Sequence, residues 1–276
     1  MSVPLTPIQI QRLRELNAPA EWRDADFPDA RERDREFQAW EKRLAADGRR
    51  RLDQLCVRRL PELCLLEGRL SDALTSFGFV RVTTPILLSK GMLRKMSINS
   101  GHALNDHVFW VGERRCLRPM LAPNLYSLMR KLVRLWPKPV RFFEIGPCFR
   151  KESSSSHHLD EFTMLNLVEV GLALESRQER LEELAAFVMQ AAGIAKYSLE
   201  AKQSEIYGET IDVVAGMEVC SSAMGPHPLD DAWGITDPWV GLGFGLERLL
   251  MAREGYANIH RAGRSLAYLD GVRLNS

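Results

Sequence analysis

Arg150 and Glu152, separated by a run of four serines and two histidines from a segment carrying Phe162 and Asn166, set the first chemical constraint on this chain. Residues 141–149 (RFFEIGPCF) and 159–170 (LDEFTMLNLVEV) are rich in strand formers, and the SSSSHH between them is a polar loop. The pattern predicts a hairpin with a polar tip. Alternation along a strand puts Arg150 and Glu152 on one face, and Phe162, Met164, Asn166 and Val168 together on one face of the partner. A planar guanidinium suits phosphate or carboxylate oxygens, an acid beside it accepts from an exocyclic amine, and an aromatic ring stacks on a base. Such a set suits ATP. An Arg-x-Glu pair alone carries little, because most strand charges face solvent. A second motif gives it weight: Gly241-Leu-Gly-Phe-Gly245-Leu-Glu-Arg248 reads as a glycine-rich strand running into a helix with an arginine in its first turn, the end of a helix at which anions bind. Its glycine spacing is not that of a dinucleotide fingerprint, and about thirty residues beyond it are too few to continue a parallel sheet.

The elements that must position these residues follow from caps and periodicity. Thr6 caps and Pro7 opens a helix with an apolar stripe of Ile8, Ile10, Leu13 and Leu16. A charge-dense stretch from Glu21 to Arg51, anchored by Phe27, Phe37 and Trp40, predicts a helical appendage over residues 1–60 ahead of a larger unit over 61–276. Pro61 to Phe77 forms a helix with Leu63, Leu66, Leu70, Leu74 and Phe77 on one side, closed by Gly78, and a strand runs from Phe79 to Thr84 and stops at Pro85. Short strands at Val108–Val111 and Arg115–Leu117 are expected to pair through Gly112-Glu113. Pro123 opens a helix that shares one face among Ala122, Leu125, Tyr126 and Met129, a stripe whose default reading is core. Glu175 to Ala192 is another amphipathic helix, and Thr210–Val214 with Glu218–Ala223 forms a hairpin around Ala215-Gly216. Helices, antiparallel hairpins and a final helix in this order give an α+β fold.

With 276 residues and 45% hydrophobic content the chain can bury a sizeable core. The net charge of +1 means that a nucleic acid must be met by local clusters: Arg49, Arg50, Arg51, Arg58 and Arg59; Arg130, Lys131, Arg134, Lys138 and Arg141; or Arg253, Arg261 and Arg264. Each taken singly reads first as a solvated face. The five cysteines are odd in number and lack C-x-x-C spacing, so neither a zinc site nor a disulfide framework is indicated, and the adjacent His157 and His158 have no further ligands at metal spacing. No apolar run approaches the ~20 residues of a membrane span and no signal-peptide pattern opens the chain. A soluble cytoplasmic protein with reduced thiols is the expectation.

FRKE followed by HLDEF, together with GFGLERLL, resembles the second and third signature motifs of the class II aminoacyl-tRNA synthetases, and the helix-strand-proline unit through Phe77-Gly78-Phe79-Val80 to Pro85 resembles the first. RCLRPMLAPNLYSLM at 115–129, LDEFTMLNLV at 159–168, Tyr207 and DPWVGLGFGLERLL narrow the resemblance to the pyrrolysine branch of that family, over essentially the whole chain and in the stand-alone form without a separate N-terminal tRNA-binding domain.

The resemblance implies an antiparallel sheet flanked by helices, a homodimer built on the first motif, and a reaction in two steps. ATP activates the amino acid as an aminoacyl-adenylate, and the adenylate acylates the terminal adenosine of the tRNA. It implies Arg150 at the α-phosphate and the substrate carboxylate and Arg248 near the γ-phosphate, both as catalytic residues, with Phe162 against adenine, Glu152 at its amine edge, and His158 and Leu159 along the bent nucleotide. Glu218 and Ser221 are implied to bind Mg2+, which their opposite parity permits only with a bulge or a twist between them. Ala122, Leu125, Tyr126, Met129, Val168 and Trp239 are implied to line the amino-acid pocket, Asn166 to hydrogen-bond the amide of bound pyrrolysine, and Tyr207 to cover its ring. The implied partners are pyrrolysine and its cognate amber-suppressor tRNA, beside which the family places the region of Arg49 to Arg51. Two other readings remain: a catalytically silent synthetase-like binding subunit, and a ligase that adenylates a small acid without tRNA. Silent relatives usually lose motif residues, whereas Arg150, Glu152, Phe162, Glu218 and Arg248 all stand here.

Overall fold

A computed structural model describes residues 2–151, 156, 158–204 and 206–274. Helix α1 (Pro7–Glu15) is closed by a capping box: Thr6 Oγ1 accepts from Gln9 N at 3.3 Å and Gln9 Oε1 accepts from Thr6 N at 2.9 Å. Helix α2 (Ala30–Arg58) has 29 residues, none of them buried, and starts at an Asp29 cap. Leu5, Leu13, Ala18 and Phe27 form a small core under it, with Phe37, Trp40 and Leu44 packed against them, and Trp22 stacks on Trp40 at 4.9 Å. The anchors in the charge-dense stretch thus give this region a core of its own.

Helix α3 (Glu62–Ser76) buries Leu66, Leu70 and Leu74 completely and ends where Gly78 takes φ +93°, the left-handed conformation that favours glycine. The strand after it, β1 (Val80–Arg81), is shorter than the predicted Phe79–Thr84. Thr84 leaves the ladder because Glu144 takes both its groups, the amide at 3.1 Å and the hydroxyl at 2.6 Å. The expected strand at Val108–Val111 does not form. The expected pairing survives as a bridge from Trp110 to Cys116, flanked by Val111 N donating to Arg115 O at 2.8 Å and Leu117 N to Phe109 O at 2.9 Å, while Arg115–Leu117 forms its regular ladder with Leu87–Ser89. Helix α4 (Ala122–Leu132), strands β2 (Val140–Phe149) and β3 (Glu161–Val170), and helix α5 (Arg177–Ala192) follow. Helix α5 starts after a 3-10 turn at Leu174–Ser176, so the predicted start at Glu175 falls within that turn. Strands β4 (Ser198–Ser204), β5 (Gly208–Val214), β6 (Glu218–Gly225) and β7 (Trp239–Gly245) complete the sheet, and helix α6 (Leu246–Glu254) leaves β7 directly. Strand β4 was not anticipated, because most of its seven residues are exposed and polar and lack an alternating apolar pattern.

The sheet runs β1-β2-β3-β7-β6-β5-β4, antiparallel at every step except the parallel edge pair β1–β2. Side-chain alternation divides it into two faces. Phe143, Leu165, Leu167, Val240 and Leu242 pack with α3, α5 and α6. Phe142, Cys148, Val168 and Trp239 point the other way, toward α4 and the segments around it. A buried polar knot fixes α4 on that second face. Arg118 and Glu144 pair at 2.7 Å with side chains 2% exposed, Arg118 Nε donates to Pro147 O at 2.7 Å, and Asn124 Nδ2 donates to Thr84 Oγ1 at 2.7 Å and Pro85 O at 2.9 Å. Removing one partner of such a pair strands a buried charge and costs about 3–5 kcal/mol.

Candidate active site

Between α4 and the second face of the sheet lies a cavity of about 360 Å³. Its floor is set by register: Asn166 lies opposite Glu144 on one side and Gly243 on the other, so Phe162, Met164, Asn166 and Val168 of β3 face the same space. A Cβ at Gly243 would press on the Asn166 amide nitrogen at 3.1 Å, so glycine leaves that side chain its room. Ala122, Leu125, Tyr126 and Met129 form the opposite wall, so the helical stripe lines a cavity as well as packing the core. Tyr126 stacks on Trp233 at 5.4 Å and meets Trp239 edge-on at 5.5 Å. Gly225 lets the Trp239 indole approach: a Cβ there would overlap the ring.

The other half of the same cavity is polar, with Arg150, His158, Glu218, Ser221 and Arg248 on its lining beside Leu159 and Phe162. Arg150 follows the end of β2, its Nε donates to Pro119 O at 2.9 Å, and its guanidinium carbon lies 5.2 Å from the centroid of the Phe162 ring. Arg248 sits in the first turn of α6, where the helix dipole also favours anions, and its Nη1 donates to Glu218 O at 3.1 Å and Oε1 at 3.3 Å. Glu152 lies outside the described residues. His157 does too, and every other residue that the resemblance assigns to the nucleotide, the metal or the amino acid, including Tyr207, lines this one cavity.

Glu218 and Ser221 reach it together because the β6–β5 register shifts between Glu218 and Cys220, a bulge that turns two residues of opposite parity toward one side. Their carboxylate and hydroxyl are hard oxygen donors of the kind Mg2+ takes alongside phosphate oxygens. The described residues hold no cluster of three His, Cys, Asp or Glu that would cage a metal by themselves. The donor set therefore fits a magnesium ion shared with a nucleotide.

Among the lining residues that the sequence did not single out, Glu247 and Cys220 carry ionisable groups. Glu247 is buried, both of its oxygens accept from Thr163 N at 2.8 and 2.9 Å, and burial pushes its carboxyl up to about 7. Its place next to Arg248 in the string GLER was the available signal. Cys220 is also in the wall, and burial raises its thiol well above the usual range, which favours the neutral thiol over the thiolate. All five cysteines are free.

The basic clusters separate on inspection. Arg58 pairs with Glu62 and Asp270, Arg253 with Glu62 and Glu254, Arg141 with Glu169 and Lys138 with Asp237, while Arg261 is buried. Arg51 reaches Glu254 at 2.5 Å and lies over the Tyr256 ring. Arg49 and Arg50 stay exposed.

A family model described as tRNA synthetases class II core domain (F) matches residues 65–269. The crystal structure of pyrrolysyl-tRNA synthetase from Desulfitobacterium hafniense is 54% identical, superposes with a TM-score of 0.92, and is matched over 100% of this chain and 99% of that one. The structure of Desulfitobacterium hafniense PylSc, a pyrrolysyl tRNA synthetase, is 53% identical with a TM-score of 0.90, over 100% and 96% of the two chains. Among curated proteins, the threonine--tRNA ligase of Wolbachia sp. subsp. Brugia malayi is 33% identical over 101 residues, 34% of this chain. That stretch spans 15% of the ligase's own length.

Proposed function

The chain belongs to the class II aminoacyl-tRNA synthetases, in the pyrrolysyl-tRNA synthetase family, and on that premise we propose that it activates pyrrolysine with ATP and transfers it to a cognate amber-suppressor tRNA. The observation that carries the substrate is Asn166. Its Oδ1 is buried without a hydrogen-bond partner, as is the Tyr126 hydroxyl, in a largely apolar half of the cavity that opens onto two arginines. An unpaired buried amide costs about 1–3 kcal/mol and is relieved by a ligand that brings an amide of its own, as an Nε-acylated lysine does. A polar group that must find its partner rejects analogues lacking it, whereas the apolar wall accepts changes of shape at small cost.

The residues act by placement. Activation joins a carboxylate oxygen of the amino acid to the α-phosphorus of ATP and breaks the bond to the bridging oxygen, releasing pyrophosphate. Both reactants are anions, so the barrier lies in holding them in line and meeting the charge that grows between them. Arg150, whose plane is fixed through Pro119 O, serves the α-phosphate and the incoming carboxylate; Arg248 serves the γ-phosphate end. Phe162 stacks on the adenine, Glu152 takes its amine edge, and His158 and Leu159 follow the nucleotide. Bound at Glu218 and Ser221, magnesium would neutralise phosphate charge. In the second step a hydroxyl of the terminal tRNA adenosine attacks the carbonyl carbon and AMP leaves. Neither step needs a side-chain nucleophile. ATP and tRNA are cytoplasmic, and that is where we place the protein.

Amino-acid-dependent pyrophosphate exchange, followed by acylation of the amber-suppressor tRNA with pyrrolysine, lysine and phenylalanine in parallel, tests this reading. Pyrrolysine is expected to be charged and the other two poorly. Charging with phenylalanine alone overturns the substrate, and absence of any exchange with all three overturns the activity.

A further inference from the structure

We propose that His227 is a latch holding the tip of the β4–β5 hairpin over the amino-acid half of the cavity, and is thereby a positioning residue that sets affinity and specificity for the amino acid. The inference rests on the assignment of that half to the amino acid. Strand β4 is at the edge of the sheet, pairs with β5 alone and is largely exposed. A hairpin placed so has little of its own to keep it shut. Its tip folds on itself, with Ser204 Oγ accepting from Ile206 N at 3.2 Å and Tyr207 N at 3.3 Å, and presents Ser204, Ile206 and Tyr207 to the cavity.

His227, in the connection between β6 and β7, meets this tip. Its Nδ1 accepts from Leu229 N at 3.2 Å, which leaves Nε2 as the protonated nitrogen, and Nε2 donates to Tyr207 O. The two rings also touch edge to face, with centroids 5.6 Å apart and planes 66° apart. The far side of the latch is anchored in the pocket wall. His227 N donates to Asp230 Oδ2 at 2.8 Å, and the same oxygen accepts from Trp239 Nε1 at 2.9 Å. One hydrogen-bonded path thus runs from the Tyr207 carbonyl through His227 and Asp230 to Trp239, joining the roof of the pocket to its side. The bond at Tyr207 is to the backbone, so it fixes the tip and leaves the Tyr207 ring to the ligand.

Two substitutions separate latch from local packing. His227→Gln carries an amide nitrogen out to the position of Nε2 and keeps a donor for Tyr207 O. His227→Asn keeps an acceptor near Nδ1 for Leu229 N, but its side chain is too short to reach the tip. If binding requires the closed tip, its apparent affinity falls with the closed fraction, and loss of one neutral hydrogen bond changes that fraction about twofold to tenfold. In pyrophosphate exchange, His227→Asn is expected to raise the KM for pyrrolysine by about that factor, with kcat and the KM for ATP within about twofold of wild type. His227→Gln should restore the KM. Hydrogen exchange of peptides covering residues 204–214, followed by mass spectrometry without any substrate, should be faster in His227→Asn and close to wild type in His227→Gln. An unchanged KM and unchanged tip exchange in His227→Asn overturn the latch, as does equal impairment of both variants, which would make the imidazole a packing group. Should wild type show no pyrrolysine-dependent exchange, the functional assignment fails, and the substrate-free exchange still decides whether His227 holds the tip.

Discussion

At Arg150 the guanidinium is held on two sides, by Pro119 O and by the face of Phe162, an arrangement that would let it receive an anion with little reorganisation. In the role proposed for it, a donor to charge that develops during activation, its replacement with alanine should lower pyrophosphate exchange about a hundredfold or more. The melting temperature should change little, because Arg150 is only partly buried; exchange near the wild-type rate would remove Arg150 from the reaction. Glu247 makes a different prediction, one of stability. Its carboxyl is raised from 4.5 to about 7 by burial, so the folded state binds the proton more tightly than the unfolded chain does. Glu247 therefore contributes stability below pH 4.5 that is lost as the pH rises through 7. Glutamine cannot ionise, and from pH 5 to 8 Glu247→Gln should gain roughly 2–4 kcal/mol relative to wild type. Denaturant titrations at several pH values measure this, and parallel curves for the two proteins would show that Glu247 does not titrate in that range.

Among the elements, helix α2 sets three consecutive arginines in two environments. Arg49 and Arg50 face solvent, the latter in a surface ion pair with Asp47, whereas Arg51 ties the helix to Glu254 at the end of α6. Surface cations suit phosphate contacts, and each such contact adds about 0.7–0.9 to the slope of binding against salt. The double change Arg49→Ala, Arg50→Ala should weaken tRNA acylation and flatten its salt dependence while leaving pyrophosphate exchange intact. Arg51→Ala should instead lower the melting temperature by about 2–4 °C, as expected for losing about 1 kcal/mol. An equal loss of acylation and exchange in the double variant would mean that these residues support the fold and do not dock RNA.

For the whole molecule, the first-motif unit and the segment after it leave apolar side chains uncovered: Val80, Ile86 and Leu87 are 46%, 41% and 46% exposed. A two-fold pairing through such side chains is the commonest way for a chain to cover its own apolar surface. Sedimentation should therefore give a homodimer at micromolar concentration, and the pair Ile86→Asp, Leu87→Asp should give monomers with reduced exchange. A wild-type monomer with full activity would contradict this assembly. The Arg118–Glu144 pair and its partner Thr84 lie just behind these residues, a physical route by which assembly would steady the α4 wall.

What the sequence determined by itself is whatever depends on local pattern: the capped helices, the β2–β3 hairpin, the glycine strand leading into α6, and the face shared by Phe162, Asn166 and Val168. These follow from periods of 2 and 3.6 and from turn chemistry, which act between near neighbours. The motif strings carried the family for the same reason, since each is short and contiguous. Tertiary structure decided the rest. Strand β4 forms because β5 supplies a ladder, although its own residues are polar and exposed. The bulge between Glu218 and Cys220 is a relation of β6 to β5, and parity along β6 could only require it. Glu247 acquires its raised carboxyl, and His227 its hold on Tyr207, from groups distant along the chain, 84 residues for Glu247 and Thr163 and 20 for His227 and Tyr207. Burial and hydrogen bonding between such partners exist only once the sheet has closed, so no local pattern of residues encodes them.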